Sequence, residues 1–143
     1  LFGTSVQAEL EIADHKIKKK DIQDVMDYFQ LTKYADTHPF SLSGGQKQRI
    51  QVALGILSNR KVIIFDEPTS GLDLLSMRRV AREIQELKKK ACVIVISHDY
   101  EFIRHISDRV LYLKNKAIRK DIPLDKEHLS EFNQIFMEMR DEK

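Results

Sequence analysis

The sequence predicts an α/β fold in which parallel strands follow a mostly helical first third. The runs VIIF (62–65) and CVIVIS (92–97) are short, rich in β-branched residues and continuously apolar. This pattern is typical of strands that are buried on both faces of a parallel sheet. Apolar residues recur at helical spacing between the two runs, so the three elements together predict a β-α-β unit.

Helices are expected before the first of these strands. Thr4 and Gln7 have the spacing of a capping box, which predicts a short helix at this point. Apolar stripes at helical spacing predict a second helix over residues 22–29 and a third that begins near Gly45 and reaches Leu57.

Further elements follow the second apolar run. A helix is expected around residues 102–106, and RVLYLK (109–114) has the pattern of a strand that pairs with the next segment, KAIRKDI. Asn115 is expected to supply the turn between these strands. A last amphipathic helix, with apolar residues between 129 and 139, is expected to cover the core of its own chain.

The composition is that of an ordinary globular protein and excludes several classes. The 143 residues are 42% hydrophobic and 32% charged with a net charge of +2, so the charge balance gives no reason to expect nucleic acid. No apolar run is long enough to cross a bilayer, so a membrane role would have to come through a partner. Cys92, the single cysteine, lies in an apolar run and is predicted to be a small core residue.

Two adjacent carboxylates, Asp66 and Glu67, end the first predicted strand. In open α/β sheets, ligands bind beyond the carboxyl ends of the strands. Because neighbouring residues of a strand point in different directions, one carboxylate can face a Mg²⁺ ion and the other a water that attacks a phosphate. The alternative is an acidic strand end that leads into a solvated turn.

A second motif, LSGGQKQR, occupies residues 42–49. Its glycines allow a ligand to approach the backbone, and the helix that starts near Gly45 directs unpaired N–H groups toward that ligand. The motif therefore suits a terminal phosphate. The alternative is a plain serine N-cap followed by a glycine turn.

A third motif, VIVISHD, places His98 directly after the second apolar run. A histidine at that edge of the sheet can donate a hydrogen bond to a γ-phosphate and stabilise charge in the transition state. A single histidine after a strand is also a common surface residue or cap, so the assignment depends on the other two motifs.

The three motifs, in this order and in a strand–helix–strand frame, closely resemble the ATP-binding-cassette ATPases. The resemblance spans residues 1 to about 121 and implies a partial P-loop NTPase (RecA-like) core with parallel strands and flanking helices at 61–122. It further implies a mostly helical signature subdomain at 1–60. Residues 123–143 lie outside the resemblance and are expected to form a C-terminal helical extension. The opening LFGTSVQAELE resembles the energy-coupling-factor and cobalt-importer branch of the family.

The resemblance also implies roles for matching residues. In the family, the signature motif binds the ATP of the opposing subunit, and it matches Ser43, Gly44, Gly45 and Gln46. Asp66 matches the aspartate that serves Mg²⁺, through water, and Glu67 matches the catalytic glutamate that polarises the attacking water. Asp73 matches the loop at the dimer interface, and His98 matches the switch histidine.

The phosphate-binding loop of such enzymes is absent from the sequence. None of the five glycines lies in G-x-x-x-x-G-K-[ST]. The family would place that loop before Leu1, so the chain is expected to be the C-terminal part of a cassette. We expect this part alone to bind ATP weakly and to hydrolyse it negligibly.

The function implied by the resemblance is the ATP-hydrolysing subunit of an ABC transporter, which couples ATP binding and hydrolysis to transmembrane import of vitamins or metal ions. Its implied cofactors are ATP and Mg²⁺. Its expected partners are a second ABC ATPase subunit, as a homo- or heterodimer, and a transmembrane transporter subunit, with no nucleic acid. Its expected location is peripheral, on the cytoplasmic face of the cell membrane. The alternatives are an ABC ATPase of DNA repair or translation, or a non-catalytic cassette partner. Retention of Glu67 and His98 argues against the last.

Overall fold

The structure, a computed structural model, describes residues 2–14 and 16–141. Leu1 and Lys143, the outer bounds of the predicted first and last segments, lie outside the described residues. The chain forms two compact units, residues 1–98 and 99–143. The predicted subdivision at residues 60 and 122 remains a prediction.

The first unit combines a helical region with a β-α-β unit, as the sequence predicts. Strands β1 and β2 pair in parallel, from Val62 opposite Cys92 to Asp66 opposite Ile96. The elements of this unit, besides two short 3-10 turns at Thr32–Tyr34 and Pro39–Ser41, are α1 (Val6–Glu11), α2 (Lys19–Tyr28), α3 (Gly44–Leu57), β1 (Val62–Asp66), α4 (Leu74–Leu87) and β2 (Cys92–Ile96).

The first helix begins one residue later than the capping-box spacing predicts. Ser5, not Thr4, is its N-cap, and the Ser5 hydroxyl accepts a hydrogen bond from the amide of Ala8. Serine and threonine are both favoured N-cap residues, so the sequence spacing could not decide between Thr4 and Ser5.

The core of the first unit forms where the helical stripes predicted it. The α2 stripe buries Ile22, Met26 and Phe29, and the α3 stripe buries Ile50 and Ala53. The apolar face of α4 is also buried, at Val80, Ala81, Ile84 and Leu87.

One face of the parallel sheet remains open, contrary to the prediction that its strands are buried on both faces. Ile63 and Phe65 point into the core, whereas Val62 and Ile64 are more than half exposed. Cys92 is exposed as well, so its predicted core position is wrong. The physical reason is that two strands alternate their side chains across the sheet, and within the described residues one face alone is covered.

The second unit has its own small core. It contains α5 (Tyr100–Ile106), β3 (Arg109–Lys114), β4 (Ala117–Pro123) and α6 (Leu129–Asp141). Ile122, Phe132 and Ile135 are buried together, which confirms that the last helix covers its own chain.

The strands of the second unit form an antiparallel hairpin. Its two-residue turn consists of Asn115 and Lys116, which both have positive φ, at 53° and 60°. Such a pair suits a type I′ turn, so the expectation for Asn115 is confirmed.

Among the described residues, no helix is both long enough and apolar enough to span a bilayer.

Candidate catalytic rim and signature helix

The carboxyl end of the parallel sheet carries the two predicted acids. Asp66 is the last residue of β1, and the amide of Glu67 still donates to the carbonyl of Ile96 at 2.8 Å. Immediately afterwards the chain turns, because Glu67 has a φ of +47°. Positive φ is uncommon for a residue with a side chain, and clusters of such strain occur at functional sites.

The Glu67 carboxylate is held by the segment that follows β2. Its Oε1 lies 2.7 Å from Nδ1 of His98, and the Ser97 hydroxyl donates to its Oε2 at 3.4 Å. The side chain of Glu67 is 33% exposed and that of His98 is 68% exposed, so both remain accessible to a ligand. Glu67 and His98 therefore meet at one edge, as the two strand ends predict.

The protonation pattern of His98 follows from this contact. A carboxylate only accepts hydrogen bonds, so Nδ1 of His98 must carry the hydrogen. In neutral His98 the other nitrogen, Nε2, is then an acceptor, and it becomes a donor only when the ring is protonated. A hydrogen bond from Nε2 to a phosphate, made while Nδ1 holds Glu67, therefore requires the imidazolium form.

Asp66 lies beside this pair on the open face of the sheet. The alternation along β1 puts it on the same face as Val62 and Ile64, exposed to solvent. The described residues contain no group of three or more metal-binding side chains. Mg²⁺ at nucleotide sites commonly keeps its waters and uses one or two carboxylates plus phosphate oxygens, so a single exposed Asp66 fits that ion.

The signature segment forms the predicted helix start, with Ser43 as a true N-cap. Its hydroxyl accepts from the amide of Gln46 at 3.4 Å, and its own amide donates to Oε1 of Gln46 at 2.8 Å. These two bonds make a capping box. The side chain of Gln46 is thus already used within the chain, while the amides of Gly44 and Gly45 start the helix without intrahelical partners.

The two signature glycines have different surroundings. A Cβ at Gly45 would lie 3.0 Å from the carbonyl oxygen of Gly71, so the helix start packs against the loop that leads to α4. A Cβ at Gly44 would have no neighbour within 4 Å. The packing of the described chain therefore gives a reason for glycine at 45 and leaves position 44 open to an external ligand.

Asp73, predicted at a dimer interface, is the N-cap of α4. Its carboxylate accepts from the Ser76 amide at 2.8 Å and from the Ser76 hydroxyl at 3.0 Å. These hydrogen bonds, that of the Ser76 amide foremost, lower the pKa of Asp73 below its usual value. The capping contact gives Asp73 a structural use within the chain, and the interface role remains a prediction.

Motif reasoning missed two residues that contact Glu67, namely Gln48 and Ser97. The Nε2 of Gln48 donates to the carbonyl oxygen of Glu67 at 2.8 Å. Gln48 lies within the LSGGQKQR motif, and Ser97 lies between β2 and His98. Gln48 lies two residues after Gln46 and Ser97 directly precedes His98, so closeness to these motif residues is the one signal that could have identified them.

This arrangement has the fold of an ATP-binding cassette. A dimeric ATP-binding cassette solved with ADP and Pi superposes with a TM-score of 0.73 at 24% identity, over 87% of this chain and 58% of that chain. Residues 3–70 match the family model described as ABC transporter. These residues are thus similar to an ABC transporter ATP-binding domain.

Curated relatives agree with this assignment. A protein of Treponema denticola that carries the name of an ABC transporter ATP-binding protein is 46% identical over 123 residues, covering 85% of this chain and 25% of the relative. A protein of Bacillus subtilis that carries the name of an HMP/thiamine import ATP-binding protein, YkoD, is 35% identical over 122 residues, covering 85% of this chain and 21% of the relative. The chain thus spans about a quarter of the length of these relatives.

Proposed function

We propose that this chain supplies the catalytic rim and the signature helix of an ATP-hydrolysing ABC transporter subunit. The observation that carries the proposal is the 2.7 Å contact between Glu67 and His98 at the carboxyl end of a parallel sheet. A carboxylate that is oriented by a histidine, and still one-third exposed, is suited to hold a water for attack on a phosphate.

Each residue of the rim has a separate task in this proposal. Glu67 accepts a hydrogen bond from the attacking water and orients it toward the terminal phosphate. His98, when protonated, donates from Nε2 to that phosphate and stabilises the developing charge. Asp66 would hold Mg²⁺, and the ion would supply neutralisation of phosphate charge.

The signature helix serves a different nucleotide in the proposal. Ser43, Gly44 and Gly45 present a hydroxyl and helix N-terminal amides to the γ-phosphate of ATP on an opposing subunit. The open surroundings of Gly44 support this role. The dimeric state of the solved cassette cited above supports pairing with a second ATPase subunit, either identical or different.

Coupling to import across a membrane completes the proposal. A transmembrane partner would receive the movement, with this chain at the cytoplasmic face of the membrane. The thiamine-import name of the Bacillus subtilis relative supports import. The resemblance of the opening LFGTSVQAELE supports the energy-coupling-factor branch. Selection of the transported molecule would lie in other subunits, so we propose no single substrate.

We predict that the 143-residue chain alone binds Mg-ATP weakly and hydrolyses it negligibly. No G-x-x-x-x-G-K-[ST] loop is present in the sequence, so the main contacts to the α- and β-phosphates would have to come from other residues. Isothermal calorimetry with Mg-ATP measures this directly, and sub-micromolar binding by the chain would contradict the prediction.

The proposed function itself is tested by Mg-dependent ATP hydrolysis of the natural gene product that contains these residues, assembled with its partners. We expect hydrolysis that requires both Mg²⁺ and the assembled protein. An assembly that binds ATP and never hydrolyses it would instead favour a non-catalytic partner.

A further inference from the structure

Gln48 connects the signature helix to the candidate catalytic glutamate. It lies four residues after Gly44, which is about 6 Å along the helix axis. Its Nε2 donates to the carbonyl oxygen of Glu67 at 2.8 Å, across 19 residues of sequence. The contact is partly buried, so water competes for this hydrogen bond less than it would for an exposed one.

The backbone of Glu67 depends on a small number of hydrogen bonds. Its amide donates to Ile96, and its carbonyl accepts from the amide of Ser70 at 3.1 Å as well as from Gln48. The positive φ of Glu67 is unfavourable by itself and persists only when surrounding contacts impose it. The bond from Gln48 is the one contact of this set that comes from a side chain.

The chemistry of the contact fixes the orientation of the Gln48 amide. The carbonyl of Glu67 accepts, so the NH₂ group of Gln48 must face it. This leaves Oε1 of Gln48 buried, and it has no hydrogen-bond partner in the described part of the chain.

We infer that Gln48 is a positioning residue, which holds Glu67 in its left-handed conformation and thereby aims the carboxylate at the attacking water. The same contact ties the glycine-rich start of α3 to the catalytic rim of its own chain. A phosphate that binds at Ser43–Gly45 would therefore affect the position of Glu67 through helix α3 and Gln48. This inference rests on the proposed function, and it adds a link between two sites that the motifs treat separately.

The test uses two substitutions that separate hydrogen bonding from packing. Gln48→Met keeps a side chain of similar length, removes the donor and also removes the unpaired oxygen. Gln48→Glu keeps the size and shape but replaces the donor by an oxygen that repels the Glu67 carbonyl. Gln51→Met is the matched control, because Gln51 is exposed on the same helix.

The first measurement is ¹⁵N NMR of the His98 ring in the full chain, under conditions where the ring is neutral. In the wild type and in Gln51→Met, the shifts are expected to show the hydrogen on Nδ1, as the contact with Glu67 requires. In Gln48→Met and Gln48→Glu, a displaced Glu67 releases Nδ1, and the shifts are expected to move toward those of a free imidazole. Ring nitrogens unchanged in both Gln48 variants would overturn the inference.

The second measurement is steady-state ATP hydrolysis by the assembled natural protein. Both Gln48 variants are expected to lose about 10- to 100-fold in kcat, the usual effect of a displaced catalytic group, while KM for ATP stays near that of the wild type. A wild-type kcat in both variants would also overturn the inference. If the wild-type assembly itself hydrolysed no ATP, the proposed function would fail, and the His98 measurement would still decide the role of Gln48.

Discussion

Replacing Glu67 by glutamine in the assembled protein is expected to lower ATP hydrolysis by about 100-fold or more, the range of a general base, and to leave ATP binding in place. Glutamine has the size of glutamate and its amide oxygen can still accept from Nδ1 of His98, so the geometry of the rim should persist. What is lost is the negative charge that orients and polarises the attacking water. Steady-state hydrolysis and equilibrium ATP binding, measured on the same preparation, check both halves of the expectation.

The matched control is Glu86→Gln. Glu86 lies on α4, its side chain is 59% exposed, and it makes an exposed ion pair with Lys89. Such surface pairs contribute little, so this variant should behave as the wild type does. Hydrolysis by Glu67→Gln at the rate of the control would show that Glu67 is not the catalytic residue.

Gly55→Ala is expected to destabilise the chain by about 1–3 kcal/mol relative to Gly44→Ala, as overpacking of a core typically does. An added Cβ at Gly55 would lie 2.6 Å and 2.8 Å from two ring atoms of Phe65. Phe65 is 5% exposed and lies on β1, so its ring has little room to move. Helix α3 can therefore pack closely on β1 because residue 55 has no side chain.

The comparison with Gly44→Ala isolates this steric effect. Both glycines lie in α3, Gly55 in its interior and Gly44 at its first residue, and a Cβ at Gly44 meets no atom within 4 Å. Urea unfolding of the two variants, followed by circular dichroism, gives the difference in the free energy of unfolding. Equal stability of the two variants would contradict the close packing of α3 on β1.

Much of the fold could be predicted because its signals are local. The β-branched runs fix the strands, and the serine followed by two glycines and glutamine fixes the start of α3. The exposure of Cys92 and Val62 could not be predicted, because burial depends on which elements cover each face of the sheet. The apolar composition of a strand does not show whether another element covers each of its faces.

The candidate site shows the same division between local and long-range information. Two parallel strands end at one edge, so the proximity of Glu67 and His98 follows from the order of the motifs. The positive φ of Glu67 and the contact from Gln48 do not follow, since both arise from tertiary contacts between distant segments. Asp73 shows the converse, because the motif implied an interface while the structure also gives it a local capping task.

The most direct test of the central claim is a structure of the assembled natural protein with Mg²⁺, ADP and aluminium fluoride, a mimic of the phosphoryl group in transfer. We predict a water, or the ligand that replaces it, within about 2.6–3.2 Å of the Glu67 carboxylate, which is the reach of a general base. This water should be in line with the aluminium and the leaving oxygen of ADP. His98 should contact the fluoride through Nε2, and Asp66 should contact a water bound to Mg²⁺. Nucleotide phosphates bound away from Asp66, Glu67 and His98 would contradict the account.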